Sequence, residues 1–139
     1  MLYAGPPFDE ARVGDAMRVG VITCSPETSL HDVASMMVSY DVHSIVVKDV
    51  APGSRPWGIV SSLDIAAAAR SDLFAANAAR DVATTDLVTV ASDEPLAAAA
   101  KLMAEHGITH LIVVAPVTDW PVGVLSARDI AAVLTAPSR

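Results

Sequence analysis

The chain repeats itself at an offset of about 66 residues, and this repeat restricts its fold more than any other feature of the sequence. Shifting the sequence by 66 places six residues of the first half on identical residues of the second, and after one gap an offset of 65 aligns seven more. The pairs are Asp15/Asp81, Thr23/Thr89, Leu30/Leu96, Ala34/Ala100, Met37/Met103, Val47/Val113, Pro56/Pro121, Gly58/Gly123, Ser61/Ser126, Asp64/Asp129, Ile65/Ile130, Ala66/Ala131 and Ala67/Ala132. Because alanine accounts for only three of these identities, composition does not explain them, and we interpret the chain as two copies of one structural unit.

The two copies are predicted to span residues 13–70 and 79–135, with an N-terminal extension at 1–12, a linker at 71–78 and a tail at 136–139. A unit of under 60 residues buries too little apolar surface to be more than marginally stable by itself. We therefore expect the two copies to pack face to face, related by a pseudo-twofold axis that leaves clefts between them.

Each copy is predicted to form a β-α-β-β-α unit. Apolar residues at i, i+3, i+4 and i+7 predict a first amphipathic helix with Leu30 on its apolar face in copy one and Leu96 in copy two, and Asp93 with Pro95 just inside marks the expected start of the second of these helices. Short β-branched segments separated by Pro-rich loops predict three strands, and second helices follow from Ser62 and Ala127. The predicted fold class is α+β, two tandem units of this kind.

Charge and hydropathy exclude several classes of partner. Nine Lys and Arg against 16 Asp and Glu give a net charge of −7, which disfavours nucleic acid and anionic membrane surfaces. The longest run without Asp, Glu, Lys or Arg is 106–118, shorter than the roughly 20 apolar residues of a membrane-spanning helix. Cys24 is the single cysteine and cannot form an intramolecular disulfide, so we expect it to be a small buried residue. These observations predict a soluble cytoplasmic protein.

Both copies end in a glycine, a short apolar strand and a Ser-x-x-Asp segment, which read GIVSSLDI at 58–65 and GVLSARDI at 123–130. The first copy opens with DAM at 15–17, and GITHLIVV at 107–114 enters the central strands of the second. In this order, and present twice, these segments resemble the CBS domain pair, or Bateman module. The resemblance covers residues 13–135, nearly the whole chain.

The resemblance implies a regulatory module rather than an enzyme. Proteins of this family sense adenosine-containing ligands such as AMP, ADP, ATP or S-adenosylmethionine in the clefts between their repeats, and associate as disc-like dimers. By analogy we expect a homodimer that acts on a regulated protein partner, with the adenosyl ligand as effector and no required cofactor.

The resemblance also assigns ligand-binding roles. Ser61 and Ser126 would contact phosphate, beside the N–H groups and the positive dipole end of the following helix, and Asp64 and Asp129 would accept the ribose hydroxyls. The remaining candidates, which would surround the adenine or supply charge, are Val42, His43, Ile108, Thr109, His110, Thr23, Thr89 and Arg128.

The residues by themselves leave alternatives open. Ser-x-x-Asp before an apolar run is also the sequence of a helix capping box, so a purely structural dimerisation module with empty clefts, or a regulatory fragment of a larger enzyme or transporter, fits the same pattern.

Few cations are available near the motifs, since only Arg128 lies inside one, with Arg18, Lys48, Arg70 and Arg80 as further candidates. A ligand of low phosphate charge, such as adenosine, AMP or S-adenosylmethionine, is therefore predicted ahead of ATP. Of the four histidines, His106 and His110 are four residues apart but straddle the helix end marked by Gly107, so they are not expected to bind a metal ion together and no metal site is predicted.

Overall fold

The computed structural model describes residues 3–72 and 74–137; Met1, Leu2, Leu73, Ser138 and Arg139, which belong to the predicted extension, linker and tail, lie outside the described residues. The helices are α1 (Val13–Ala16), α2 (Leu30–Tyr40), α3 (Ser62–Ala69), α4 (Ala79–Val82), α5 (Leu96–His106) and α6 (Ala127–Thr135), with a 3-10 turn at Phe74–Ala76. The strands are β1 (Arg18–Val19), β2 (Thr23–Cys24), β3 (Ser44–Lys48), β4 (Pro56–Ser61), β5 (Thr89–Ala91), β6 (His110–Val114) and β7 (Pro121–Ser126). None of the helices in this part of the chain is long and apolar enough to cross a membrane. The predicted α+β fold with two tandem β-α-β-β-α copies is confirmed.

The chain forms two compact units, which we call the central unit (22–87) and the outer unit (3–21 with 88–137). In the central unit the sheet order is β2-β3-β4, with β2 parallel and β4 antiparallel to β3. In the outer unit the order is β1-β7-β6-β5, and β5, β6 and β7 repeat the same directions. The additional strand β1 pairs antiparallel with β7.

The units in space do not coincide with the copies in sequence, because each unit includes a segment from the other copy. In the outer unit the Val13 N–H donates to the Glu94 carbonyl at 2.8 Å, which attaches the start of copy one to copy two. In the central unit the Ala79 N–H donates to the Thr28 carbonyl at 2.8 Å, which is the same bond with the copies exchanged. Short helices α1 and α4, which the periodicity did not predict, therefore occupy equivalent places.

Each unit has its own apolar core between its sheet and its helices. In the outer unit the fully buried residues of this core include Val13, Leu96, Leu111, Val113 and Leu125. In the central unit the core consists of Cys24, Val33, Met37, Ile45, Val47, Val60 and Ala79. Alternation along the strands places these side chains on one face of each sheet, and Val46 and Ile112 on the opposite faces are buried as well.

The helices α2 and α5 end on local sequence signals, whereas the start of α5 depends on a contact with a distant segment. Both α2 and α5 end on a residue in the left-handed region, Asp41 with φ 53° and Gly107 with φ 61°. The prediction for Pro95 is wrong by one residue, since α5 begins at Leu96 and Pro95 is its N-cap. Pro95 supplies no side-chain cap; instead the Leu96 N–H donates to the Ala11 carbonyl at 2.9 Å, so a chain segment distant in sequence takes that role.

Candidate functional site

Each Ser-x-x-Asp segment lies where a strand passes directly into a helix. Ser61 is the last residue of β4 and the N-cap of α3, and Ser126 is the last residue of β7 and the N-cap of α6. All four motif residues are half-buried. The position results from local sequence, because an apolar strand ends at the serine and a good helix-forming stretch begins one residue later.

Both segments form reciprocal capping boxes. The Asp64 N–H donates to Ser61 Oγ at 3.2 Å, and the Ser61 N–H donates to Asp64 Oδ2 at 2.8 Å. In the other unit the corresponding distances for Asp129 and Ser126 are 3.1 Å and 2.8 Å. The capping hydrogen bonds are therefore present, and they occupy only part of the hydrogen-bonding capacity of the serine and aspartate side chains. Each serine accepts but keeps its O–H to donate, and each carboxylate commits one oxygen of two.

The structure brings the predicted adenine-contacting residues next to these caps. The carbonyl of His43 accepts a hydrogen bond from the Ser62 N–H at 2.8 Å, and the carbonyl of Thr109 accepts one from the Ala127 N–H at 2.8 Å. The start of the middle strand thus binds the first turn of the following helix in both units. In the strand register Ser44 lies opposite Ser61 in the central unit, and His110 lies opposite Ser126 in the outer unit.

Val42 and Ile108, the residues just before these carbonyls, are half-buried apolar side chains. Each is packed against the core of its own unit, Val42 in the central one and Ile108 in the outer one. They give each strand entrance an apolar surface beside the polar cap, which is the composition that a purine ring and its sugar require.

Thr23 and Thr89 lie further from the caps than the other candidates. Thr23 pairs with Val46 and Thr89 pairs with Ile112, which places both on the edge strands β2 and β5. In each sheet the middle strand separates them from the strand that carries the motif, by two strand spacings or roughly 10 Å. The structure does not bring either threonine into contact with the Ser-x-x-Asp segment.

Two positions beside the caps differ between the units in charge. Arg128 is an exposed residue in the first turn of α6, and the residue at the same place in α3 is Leu63, which is 75% exposed. Arg18 lies opposite Val124 on β7, and the matching place beside β4 is occupied by Thr84, whose N–H and carbonyl both bond to Ile59. Sequence reasoning did not single out Thr84; extending the 66-residue offset upstream aligns it with Arg18.

An open groove of about 430 Å³ lies elsewhere in the outer unit, between β5 and α5. Of the predicted ligand residues it contains only Thr89, and its remaining lining is Val90, Ala91, Glu94, Ala98, Lys101, Leu102 and Glu105. Lys101 Nζ lies 3.8 Å from Glu105 Oε1, so the cation of the groove is paired within it. The groove therefore lacks an unpaired positive charge for phosphate, and the caps remain the stronger candidates.

Cys24 is a core residue of the central unit, as expected. It is buried, and burial raises the pKa of its thiol by more than the hydrogen bond to the Thr28 side chain lowers it. A raised pKa reduces the thiolate fraction at neutral pH, so this thiol is poorly suited to nucleophilic chemistry. Among residues 3–72 and 74–137 no group of three or more His, Cys, Asp or Glu side chains is placed to hold a metal ion.

Comparison with protein families identifies the repeat. The family model described as CBS domain matches the chain twice, at residues 13–71 and 79–136. A curated relative, homoserine O-acetyltransferase of Methanohalophilus mahii, is 31% identical over 125 residues, which cover 88% of this chain. The chain spans 24% of the length of that acetyltransferase.

Solved structures show the same fold. The CBS domain protein PAE2072 from Pyrobaculum aerophilum, complexed with AMP, is 28% identical, with a TM-score of 0.76 over 86% of this chain and 89% of that one. The CBS domain pair of protein MJ0100, in complex with 5′-methylthioadenosine and S-adenosyl-L-methionine, is 23% identical, with a TM-score of 0.76 over 87% and 93% of the two chains.

Proposed function

The chain belongs to the CBS domain family, and on that premise we propose that it is a regulatory module that binds an adenosine-containing ligand at its two Ser-x-x-Asp caps. CBS domain pairs are in general regulatory and not catalytic. Similarity to the acetyltransferase covers only a quarter of that enzyme, so acetyl transfer is not part of the proposal. An effector of this class is met inside the cell, and the proposal therefore includes a cytoplasmic location.

The observation that carries the proposal is that the whole arrangement occurs twice. In each unit a serine, an aspartate and the start of the middle strand are held together by the same hydrogen bonds, with matched lengths. A helix cap alone requires only the serine and the aspartate. The AMP complex of PAE2072, a related chain of the same fold, supports an adenosine nucleotide as the occupant.

The chemistry of the arrangement suits the parts of such a ligand. The serine O–H and the N–H groups at the helix start would donate to a 5′ phosphate, which the helix dipole also favours. The aspartate oxygen outside the cap would accept from the ribose hydroxyls, and the apolar strand entrance would contact the adenine. The serine O–H can donate to a phosphate while Oγ still accepts from the aspartate N–H, so ligand and cap share the same serine.

Calorimetric titration with AMP, ADP, ATP and S-adenosylmethionine tests this function. Binding should be saturable in the parent protein and lost in the double variant Asp64→Ala/Asp129→Ala. Because those substitutions also remove a cap, a matched control is needed, and Asp15 and Asp81 provide it. Their Oδ2 atoms cap α1 and α4 by accepting from Arg12 N and Ala78 N, both at 2.8 Å.

The control variant Asp15→Ala/Asp81→Ala should lose comparable stability and keep ligand binding. If the parent protein produces no binding heat with any of the four compounds, the proposed function is wrong. Unchanged binding in the Asp64→Ala/Asp129→Ala variant would contradict the assignment of the site.

A homodimer is the second element of the proposal, and exposed apolar side chains favour it. Large hydrophobic residues that are more than half exposed in the single chain are Val19, Val38, Tyr40, Val50, Leu63, Val117, Trp120 and Leu134. Association of two copies, or with a regulated partner, would cover part of this surface. Sedimentation velocity should show a dimer. If that dimer forms and its melting temperature does not respond to nucleotides, the chain is a structural dimerisation module instead.

A further inference from the structure

The two caps are alike in geometry and different in charge. Around Ser126 the outer unit places two arginines, Arg128 in the first helical turn and Arg18 on the neighbouring strand β1. At the matched places around Ser61 the central unit has Leu63 and Thr84, which carry no charge. Each motif contributes one aspartate, so the outer set is net positive and the central set net negative.

Arg18 and Ser126 lie on the same face of the outer sheet. Arg18 is directly opposite Val124, and Ser126 follows Val124 by two residues, so period-two alternation puts their side chains on one side about 7 Å apart along the strand. His110, which lies opposite Ser126, shares this face. An anion at the cap would therefore meet positive charge from β1 as well as from the helix.

Arg128 lies within the same helical turn as the cap, between the Ala127 N–H and Asp129. Its side chain is exposed and can turn toward a ligand at the helix start at little cost. The guanidinium group forms bidentate, charge-assisted hydrogen bonds with phosphate, which a leucine at this place cannot. In the central unit the nearest arginine along the helix is Arg70, the C-cap of α3, nine residues or about 13 Å from Ser61.

We infer that the two caps select ligands of different charge, the Ser126 cap an adenosine compound with an anionic 5′ phosphate and the Ser61 cap an uncharged adenosine compound. This inference rests on the proposed function. Leu63, 75% exposed, offers the 5′ end of the ligand an apolar contact where Arg128 offers a charge. The chain would then respond to the ratio of two related compounds and not to one of them.

Adenosine and AMP are suitable probes because they differ only in the phosphate. The variants Asp64→Ala and Asp129→Ala each leave one intact cap, so that calorimetry in 50 mM salt reports one site at a time. With the Ser126 cap intact, AMP should bind about tenfold or more tightly than adenosine, and 500 mM salt should reduce that preference. With the Ser61 cap intact, adenosine should bind at least as tightly as AMP.

Exchanging the two side chains supplies the decisive test, and both positions are exposed, so the variants should fold. Arg128→Leu in the Asp64→Ala background should abolish the AMP preference, and Leu63→Arg in the Asp129→Ala background should create one. Arg18→Thr should weaken AMP binding at the Ser126 cap without affecting adenosine.

The possible failures are distinguishable. Equal AMP-to-adenosine ratios at the two caps, or ratios that do not change on exchange, would overturn this inference and leave the proposed function standing. Absence of binding by both adenosine and AMP to the parent protein would also overturn this inference, and the proposed function would fail with it only if ADP, ATP and S-adenosylmethionine produced no binding heat either.

Discussion

The Leu96 N–H donates to the Ala11 carbonyl at 2.9 Å, and this bond joins residues 85 positions apart at the first turn of α5. The equivalent bond in the central unit runs from Leu30 to Asn77, at 3.3 Å. A helix start leaves N–H groups that need partners. Here the partner lies outside both copies, in the N-terminal extension for α5 and in the linker for α2, so the start of each first helix depends on a backbone segment far from it along the chain.

Removal of residues 1–21 should therefore destabilise the outer unit and not the central one. The deletion takes away the α5 partner Ala11, the fully buried Val13 and strand β1. Hydrogen exchange followed by mass spectrometry should show protection in α5 and β7 reduced by about tenfold or more, because these elements lose packing and backbone bonds. Protection in β3 and β4 should change little. An equal loss of hydrogen-exchange protection in both units would contradict the prediction that only the outer unit depends on residues 1–21.

Gly123 should be far less tolerant of alanine than Gly58, although the two are equivalent in the repeat. A Cβ at Gly123 would lie 2.5 Å from the Arg18 carbonyl oxygen and 2.9 Å from Met17 Sδ, so β1 would have to move away from β7. At Gly58 the nearest atom is the Ala83 Cβ, at 3.1 Å. We expect Gly123→Ala to cost about 2–3 kcal/mol in urea unfolding and Gly58→Ala about 1 kcal/mol. If Gly58→Ala cost more unfolding free energy than Gly123→Ala, β1 would not be tightly held against β7.

Loss of one serine cap should cost about 1 kcal/mol of unfolding free energy. Ser61→Ala and Ser126→Ala each remove the acceptor for one aspartate N–H, at 3.2 Å and 3.1 Å. Because the two caps lie in different units and share no partner, their effects should add, to about 2 kcal/mol in the double variant. Chemical denaturation without ligand measures this. A cost near zero would mean that the capping bonds contribute little.

Cys24 should make the protein less stable at alkaline pH. Burial raises its pKa above the ordinary value of 9.0, so above that pH the thiol ionises in the unfolded chain before it ionises in the folded one. The stabilising difference is complete below pH 9 and is lost as the pH rises through the folded pKa, with a slope of at most about 1.4 kcal/mol per pH unit. Cys24→Val, which introduces the residue that Val90 supplies in copy two, should remove this part of the decline.

Denaturation midpoints of the parent and Cys24→Val proteins between pH 8 and pH 10.5 measure this effect, because the other titrating groups are common to both. The thiol should also react slowly with a disulfide reagent at pH 7.5 until denaturant is added. Fast reaction in the folded protein would contradict the burial of Cys24.

Most of the local structure was predictable from residue patterns. Apolar periodicity located α2 and α5 to within two residues, and the Ser-x-x-Asp segments located the starts of α3 and α6. The four-residue helices α1 and α4 were not predicted, because one turn is too short to show a period. The role of Thr23 and Thr89 as a wall of the ligand site stays a prediction, and the strand order places the middle strand between them and the strand that carries the Ser-x-x-Asp segment.

The sequence by itself determined that the chain is a doubled α+β unit with two matched caps, because repeats, periodicity and capping boxes are local patterns whose physics acts within a few residues. Only the tertiary structure decided which segment completes which unit. That Ala11 partners Leu96, and that Arg18 comes to lie beside the Ser126 cap while Thr84 lies beside the other, depends on hydrogen bonds between residues distant in sequence. Such pairing is selected by the burial of two cores at once, and no local window of residues contains that information.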